Sequence, residues 1–136
     1  MIVLLDTDIL IDVALDRAPF AEQAAELLDA LEALPGTAFV AWHSISNFYY
    51  VVSPRQGSVQ TKDFILDLMR FVQIAPTTTE HLLQAARLEM RDFEDAMQVA
   101  AALACRAGVI ATRNLKDYSK SPIRAAEPRS ILTVLG

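Results

Sequence analysis

The chain alternates short, unbroken apolar runs with longer segments of helical period, and this alternation limits the fold more than any single residue does. "MIVLLD", "TAFVAW", "VQIAP" and "VIAT" read as buried strands, because their apolar residues follow one another directly. A short "AAEP" run near the end reads as one more. Between the runs lie helix candidates. "DILIDVALD" suits a short helix starting near Asp8, and "PFAEQAAELLDALEALPG" has Pro19 near its start and Gly36 beyond its end. "SISNFYYVVS" is read as a helix despite its β-branched and aromatic content. "SVQTKDFILDLMRF" places Phe64, Ile65, Leu68 and Phe71 at helical spacing. "TTEHLLQAARLEM" has Thr78 or Thr79 as its cap, "DFEDAMQVAAALACRAG" closes at Gly108, and "RSILTVL" ends the chain. Strands alternating with helices predict an α/β fold: a three-layer α/β/α sandwich around a central, mostly parallel sheet. No linker or repeat interrupts the pattern, so residues 1–136 are read as a single domain.

Composition narrows the function classes. The chain is 53% hydrophobic and 21% charged, which opposes disorder. No apolar run approaches the roughly 20 residues of a membrane span, and no signal peptide is apparent. A lone Cys105 excludes an internal disulfide and a cysteine-based zinc site, and a reducing, cytoplasmic setting is the expectation. The net charge of −5 opposes a nucleic-acid partner less than it first suggests, because it is unevenly spread. Residues 1–32 carry eight acidic residues against Arg17 alone. Residues 113–129 carry five basic residues against Asp117 and Glu127. A divalent cation would cancel part of the acidic excess.

Three polar spots fall where an α/β protein binds ligands. In "IVLLDTDILID" an apolar run ends in Asp6, and Asp8 and Asp12 follow. Carboxylates resist burial and repel one another, so a positive charge is expected nearby. Ligands bind beyond the carboxyl ends of the strands, where Asp6 would stand. Asp8 reads equally well as a helix cap. In "RDFEDAMQVAAALA", Asp92 and Asp95 share one helix face and Glu94 points elsewhere. Acidic residues favour a first helical turn through the helix dipole, which accounts for one or two of these three. In "VIATRNLKDY" a buried strand ends at Thr112, Arg113 and Asn114, with Asp117 just beyond, where it could equally brace the loop. In a parallel sheet Asp6 and Asn114 emerge on one edge, and a helix running back against the strands begins on that edge, which brings in Asp95. The result is a pocket of oxygen ligands, the preference of Mg²⁺ or Mn²⁺.

"LLDTDILID", "DFEDAMQVAAALA" and "ATRNLKDY", in this order and at this spacing, resemble the PIN domain family, and most closely its VapC-like branch of bacterial toxins. The resemblance covers nearly the whole chain. It implies a small α/β/α sandwich carrying an acidic, Mg²⁺- or Mn²⁺-dependent ribonuclease site. Asp6 matches the acid that closes the first strand. Asp95, with Glu94 before it, matches the acid that opens the long apolar helix. Asn114 takes the polar position after the "AT" strand, with Asp117 as an outer or substitute ligand. Catalysis would rest on Asp6, Asp95, Asn114 and Asp117, with Asp6 and Asp95 on the metal and Asp8, Asn47, Asp92 and Glu94 in support. The resemblance also implies an RNA substrate, a homodimer, and an antitoxin whose basic side chain fills the acidic pocket. Two positions depart from the pattern: Asn47 stands where the family usually has Glu, and Asn114 where it has Asp. They leave open a PIN-fold module that binds RNA or protein without cutting.

Arg113 and Lys116 could meet the phosphate backbone, or simply belong to a solvated loop. Trp42, Tyr49 and Tyr50 could stack on bases, with core or dimer packing as the alternative. His43 and His81 lie outside the motifs and read as surface or packing residues. "VLLDTDIL" also resembles the Asp-x-Asp start of haloacid-dehalogenase-type phosphatases. Ile9 and Leu10 follow it here in place of that family's Gly-Thr pair, however, and no glycine precedes an aspartate anywhere in the chain.

Overall fold

The computed structural model describes residues 1–135. Among them, five strands form one sheet: β1 (Val3–Leu5), β2 (Ala38–Val40), β3 (Val72–Ile74), β4 (Val109–Ala111) and β5 (Ala125–Ala126). Their order is β3-β2-β1-β4-β5, and every pairing is parallel. Leu4 pairs with Phe39 on one side and with Ile110 on the other, so β1 is the central strand. Val3, Leu4 and Leu5 are fully buried, as a strand covered on both faces requires.

Within the described residues, seven helices flank the sheet. They are α1 (Thr7–Ala14), α2 (Ala21–Glu32), α3 (Trp42–Gln56), α4 (Ser58–Leu68), α5 (Thr79–Arg87), α6 (Phe93–Ala104) and α7 (Pro128–Leu135). A 3-10 turn covers Leu115–Tyr118. One core, built on Val3, Leu5, Ile9, Leu10, Leu27 and Phe48, lies on one face. Leu4, Val99, Ala101, Ala102, Ile110 and Tyr118 form a second core on the other. Alternate residues of β1 feed opposite cores, the two-residue period of a strand. The expected α/β/α sandwich is the observed one, and its sheet is wholly parallel.

Local chemistry explains the elements and refines two expectations. Asp6, not Asp8, caps α1: it adopts an extended backbone and its Oδ1 accepts from the Thr7 amide at 2.7 Å. Asp8 is left in the first helical turn, free to reach the residues after β4. The aromatic segment from Trp42 is a helix because Ile45, Phe48 and Val52 recur at helical spacing and pack inward, which outweighs weak intrinsic propensity. Phe48 stacks on Phe64 of α4, with ring centroids 5.2 Å apart. The break between α3 and α4 falls at Gly57, whose φ of 94° is open to glycine and costly for other residues.

Candidate functional site

Because all five strands run the same way, the residues after β1, β2 and β4 share one edge of the sheet. Asp6 follows β1, His43 lies in the first turn after β2, and Thr112, Arg113 and Asn114 follow β4. The start of α6, with Glu94 and Asp95, meets the same edge. One hydroxyl shows this: Tyr118 Oη donates to Asp6 Oδ2 at 2.9 Å and lies 3.4 Å from Asp95 Oδ1.

The carboxylates here have no paired counter-charge, although the charge of Arg113 acts on Asp8 without an ion pair. Among the described residues the ion pairs are Arg17–Asp12 and Arg113–Asp12, so Asp6, Asp8 and Asp95 form none. Burial raises the pKa of Asp6, against hydrogen bonds that lower it, Tyr118's foremost. Asp95, half-buried, is pushed up to about 7 by desolvation first and then by the charges of Asp92, Asp6 and Asp117. Asp8 is likewise pushed up to about 7 by desolvation and then by Asp6. Its Oδ2 accepts from Thr112 Oγ1 at 3.2 Å, the Arg113 amide at 3.2 Å and Asn114 Nδ2 at 3.1 Å. Its Oδ1 is buried with no hydrogen-bond partner among the described residues.

The remaining residues singled out in the sequence separate into distinct roles. Asp92 caps α6, its Oδ1 accepting from the Asp95 amide at 3.1 Å. That local duty accounts for it without a ligand. Asn47 donates to Glu94 Oε2 at 3.1 Å, tying α3 to α6. Asn114 spends its side-chain amide on Asp8 rather than on Asp6 or Asp95. Asp117 is exposed in the 3-10 turn, where its charge acts on Asp95. Arg113 takes a different place from the phosphate contact considered for it. Its Nε donates to Asp12 Oδ2 at 2.8 Å, its guanidinium lies 4.3 Å from the centroid of the Phe20 ring, and Asp12 holds it there. Lys116 lines a cleft beside the carboxylates with Arg91, Asp92, Asp95, Asp117 and Lys120. Trp42 and Tyr50 are each 73% exposed, which removes them from the core, whereas Tyr49 is half-buried.

Three residues gain importance that the sequence did not show. His43 stands within electrostatic reach of Asp6 and Glu94, and its Nε2 is buried without a partner among the described residues. Desolvation holds its pKa below the ordinary imidazole value. The rule that drew attention to Asp6 and Asn114, position just past a strand's carboxyl end, applies to His43 as well. Tyr118 is 4% exposed and reaches the carboxylates only because the 3-10 turn swings it back under them. Gln98, buried one turn after Asp95, donates to Ser44 Oγ at 2.6 Å and to Thr7 Oγ1 at 3.4 Å. It fastens the starts of α1, α3 and α6 to one another beneath the site. No local pattern distinguishes such a glutamine from a solvated one. His81 serves its own helix, where its Nδ1 accepts from the Thr78 amide at 3.0 Å and completes the cap of α5.

Among the described residues, no three His, Cys, Asp or Glu side chains stand close enough to enclose a metal ion by themselves. The donors nonetheless suit a hard cation. Asp6 and Asp95 converge without a counter-charge, and Asp8 keeps a buried oxygen unpaired among the described residues. Mg²⁺ is commonly held by one or two carboxylates with water in its remaining positions, a demand this pair meets.

A PIN domain family model matches residues 2–116. Solved structures share the fold at low identity. VapBC2 from Rickettsia felis, bound to a DNA fragment from its promoter, is 16% identical with a TM-score of 0.73, over 93% of this chain and 98% of that one. VapBC-1 from nontypeable Haemophilus influenzae is 19% identical with a TM-score of 0.72, over 95% and 99% respectively. VapC20 of Mycobacterium tuberculosis, a toxin that cleaves the sarcin-ricin loop, is 16% identical with a TM-score of 0.69, over 89% and 95%. No curated protein sequence matches the chain.

Proposed function

The chain belongs to the PIN domain family, and on that premise we propose that it is an endoribonuclease, the toxin of a toxin–antitoxin pair, that hydrolyses RNA phosphodiesters with Mg²⁺ or Mn²⁺. The observation that carries this reading is the meeting of Asp6 and Asp95 on one hydroxyl, with no cationic side chain among the described residues paired to either. Two desolvated carboxylates that share one hydroxyl are unfavourable by themselves and become favourable with a divalent ion between them.

Asp6 and Asp95 would hold the ion. Asp8, Asn114 and Asp117 shape its surroundings: Asn114 steadies Asp8, and Asp117 adds negative charge to the cleft. When bound, the cation supplies Lewis acidity and positive charge to the scissile phosphodiester. Lys116, Lys120 and Arg91 line the cleft that opens at Asp95, where they would take the flanking phosphates without regard to sequence. Arg113 is not counted among them, since Asp12 engages its guanidinium. Two of the similar structures are toxin–antitoxin complexes, which supports an antitoxin partner whose basic side chain would enter the same acidic cleft. A homodimer follows from the family resemblance.

Calorimetric titration with Mn²⁺ tests the reading. Binding lost in Asp95→Asn, with an unchanged far-UV spectrum, is the expected result. A parent protein that takes up no Mn²⁺ at millimolar concentration overturns it. That outcome would favour a PIN-fold module that binds RNA or protein without cutting, a second reading supported by the amides of Asn47 and Asn114, which donate hydrogen bonds to Glu94 and Asp8.

A further inference from the structure

Tyr118 closes "NLKDY", and its ring is buried in the second core among Leu4, Val99 and Ile110. A buried phenol must find a partner for its O–H. Leucine or phenylalanine would fill the same space without that demand, so the hydroxyl asks for a reason. It has one hydrogen to give. The 2.9 Å contact identifies Asp6 Oδ2 as its main acceptor, and Asp95 Oδ1 at 3.4 Å is the weaker one. Of the other polar ties of this region, the Thr7 amide holds the second oxygen of Asp6, Gln98 joins the helices one layer below, and Asn47 joins Glu94 to α3, so none of these reaches the Asp95 carboxylate.

We infer that Tyr118 is a positioning residue for the divalent cation: its hydroxyl keeps Asp6 and Asp95 turned towards a common point before the ion arrives. The inference rests on the proposal that these two carboxylates hold the metal. Like charges in a poorly solvated site rotate apart when nothing neutral intervenes. A single O–H between them offsets part of that repulsion and adds no positive charge that would compete with the ion. Without it, Asp6 keeps its cap bond to the Thr7 amide, but the Asp95 carboxylate loses its tie and must be reoriented at the moment of binding, and affinity falls. Partners that orient metal ligands from outside typically account for roughly 10- to 100-fold in affinity, and the long contact to Asp95 places Tyr118 at the lower end, about tenfold.

The test compares Mn²⁺ binding by calorimetry in the intact parent chain, Tyr118→Phe and Asp95→Asn. Phenylalanine keeps the ring in its core and removes only the oxygen. The expected result is cooperative melting of Tyr118→Phe, Mn²⁺ affinity weakened about tenfold, and RNA cleavage restored towards the parent rate by excess Mn²⁺. A purely structural defect would not respond to metal in this way. If Asp95→Asn loses Mn²⁺ while Tyr118→Phe binds it as tightly as the parent, or more tightly, Tyr118 has no positioning role and the metal proposal stands. If Asp95→Asn binds like the parent, the metal proposal itself fails. Should Tyr118→Phe not melt cooperatively, a Mn²⁺-soaked crystal of the parent decides. A phenol oxygen within hydrogen-bond distance of both carboxylates supports the inference, and one turned away overturns it.

Discussion

Helix α1 and its cap carry two kinds of carboxylate within one short segment. Asp12, its side chain 1% exposed, is held by two guanidinium groups: Arg113 Nε at 2.8 Å and Arg17 Nη2 at 2.8 Å. Asp8 and Asp6, earlier in the same segment, receive only neutral donors, and Asp95 joins them in the same condition. The first arrangement is complete, since a buried charge is tolerated when paired and hydrogen-bonded. The second is incomplete in one defined respect, and the component that would complete it is positive. Neutralised acids hold a fold together, whereas acids left without a paired cation are suited to holding something else.

That contrast can be broken in order of size. Asp6→Asn or Asp95→Asn should reduce metal-dependent RNA cleavage on the order of 10³-fold, the several kcal/mol that charge stabilisation at a metal supplies. The folded state should persist. Cleavage at the parent rate in both variants would remove the distinction. Asp12→Ala should do the reverse, lowering stability in urea by about 2–4 kcal/mol, since breaking a buried pair leaves arginine charge uncompensated. Arg17 and Arg113 retain some solvent access, which keeps the loss below the most severe cases.

The pH dependence sharpens the comparison. Asp8 and Asp95 rise from 3.8 to about 7 on folding, so the folded chain holds more protons than the unfolded chain between these values. Their contribution is fully present below about pH 4 and is lost as pH rises through about 7. Thermal melts of the metal-free protein should therefore show Asp95→Asn more stable than the parent at pH 8. The gain is on the order of 1 kcal/mol once solvent screening of this half-buried group is allowed for, and it should vanish near pH 4. A gain that is equal at both pH values would point away from desolvation and like-charge repulsion. The smallest effect separates two cations. Lys116→Ala should reduce the salt slope of RNA binding by about one and leave stability unchanged. Arg113→Ala should lower stability with the slope unaltered, and the opposite pattern would return Arg113 to the RNA-contacting side.

Strand and helix positions were legible because they depend on neighbours in sequence. "IVLL" and "VIAT" are buried whatever follows, and their alternation with helices makes the sheet parallel. Parallel strands then carry Asp6 and Asn114 to one edge without any coordinates. Which acid is neutralised was not legible, because that depends on a partner remote in sequence. Asp12 and Asp6 look alike in "LLDTDILID", yet the winding of the helix directs Asp12 towards Arg113 and leaves Asp6 against the Tyr118 hydroxyl. Asp92 and Asp95 look alike too, until the first proves to cap its helix and the second to face Asp6 across a shared hydroxyl. Periodicity is a local property and survives in one dimension. Charge compensation falls off over a few ångströms of space, so only the folded chain could assign it.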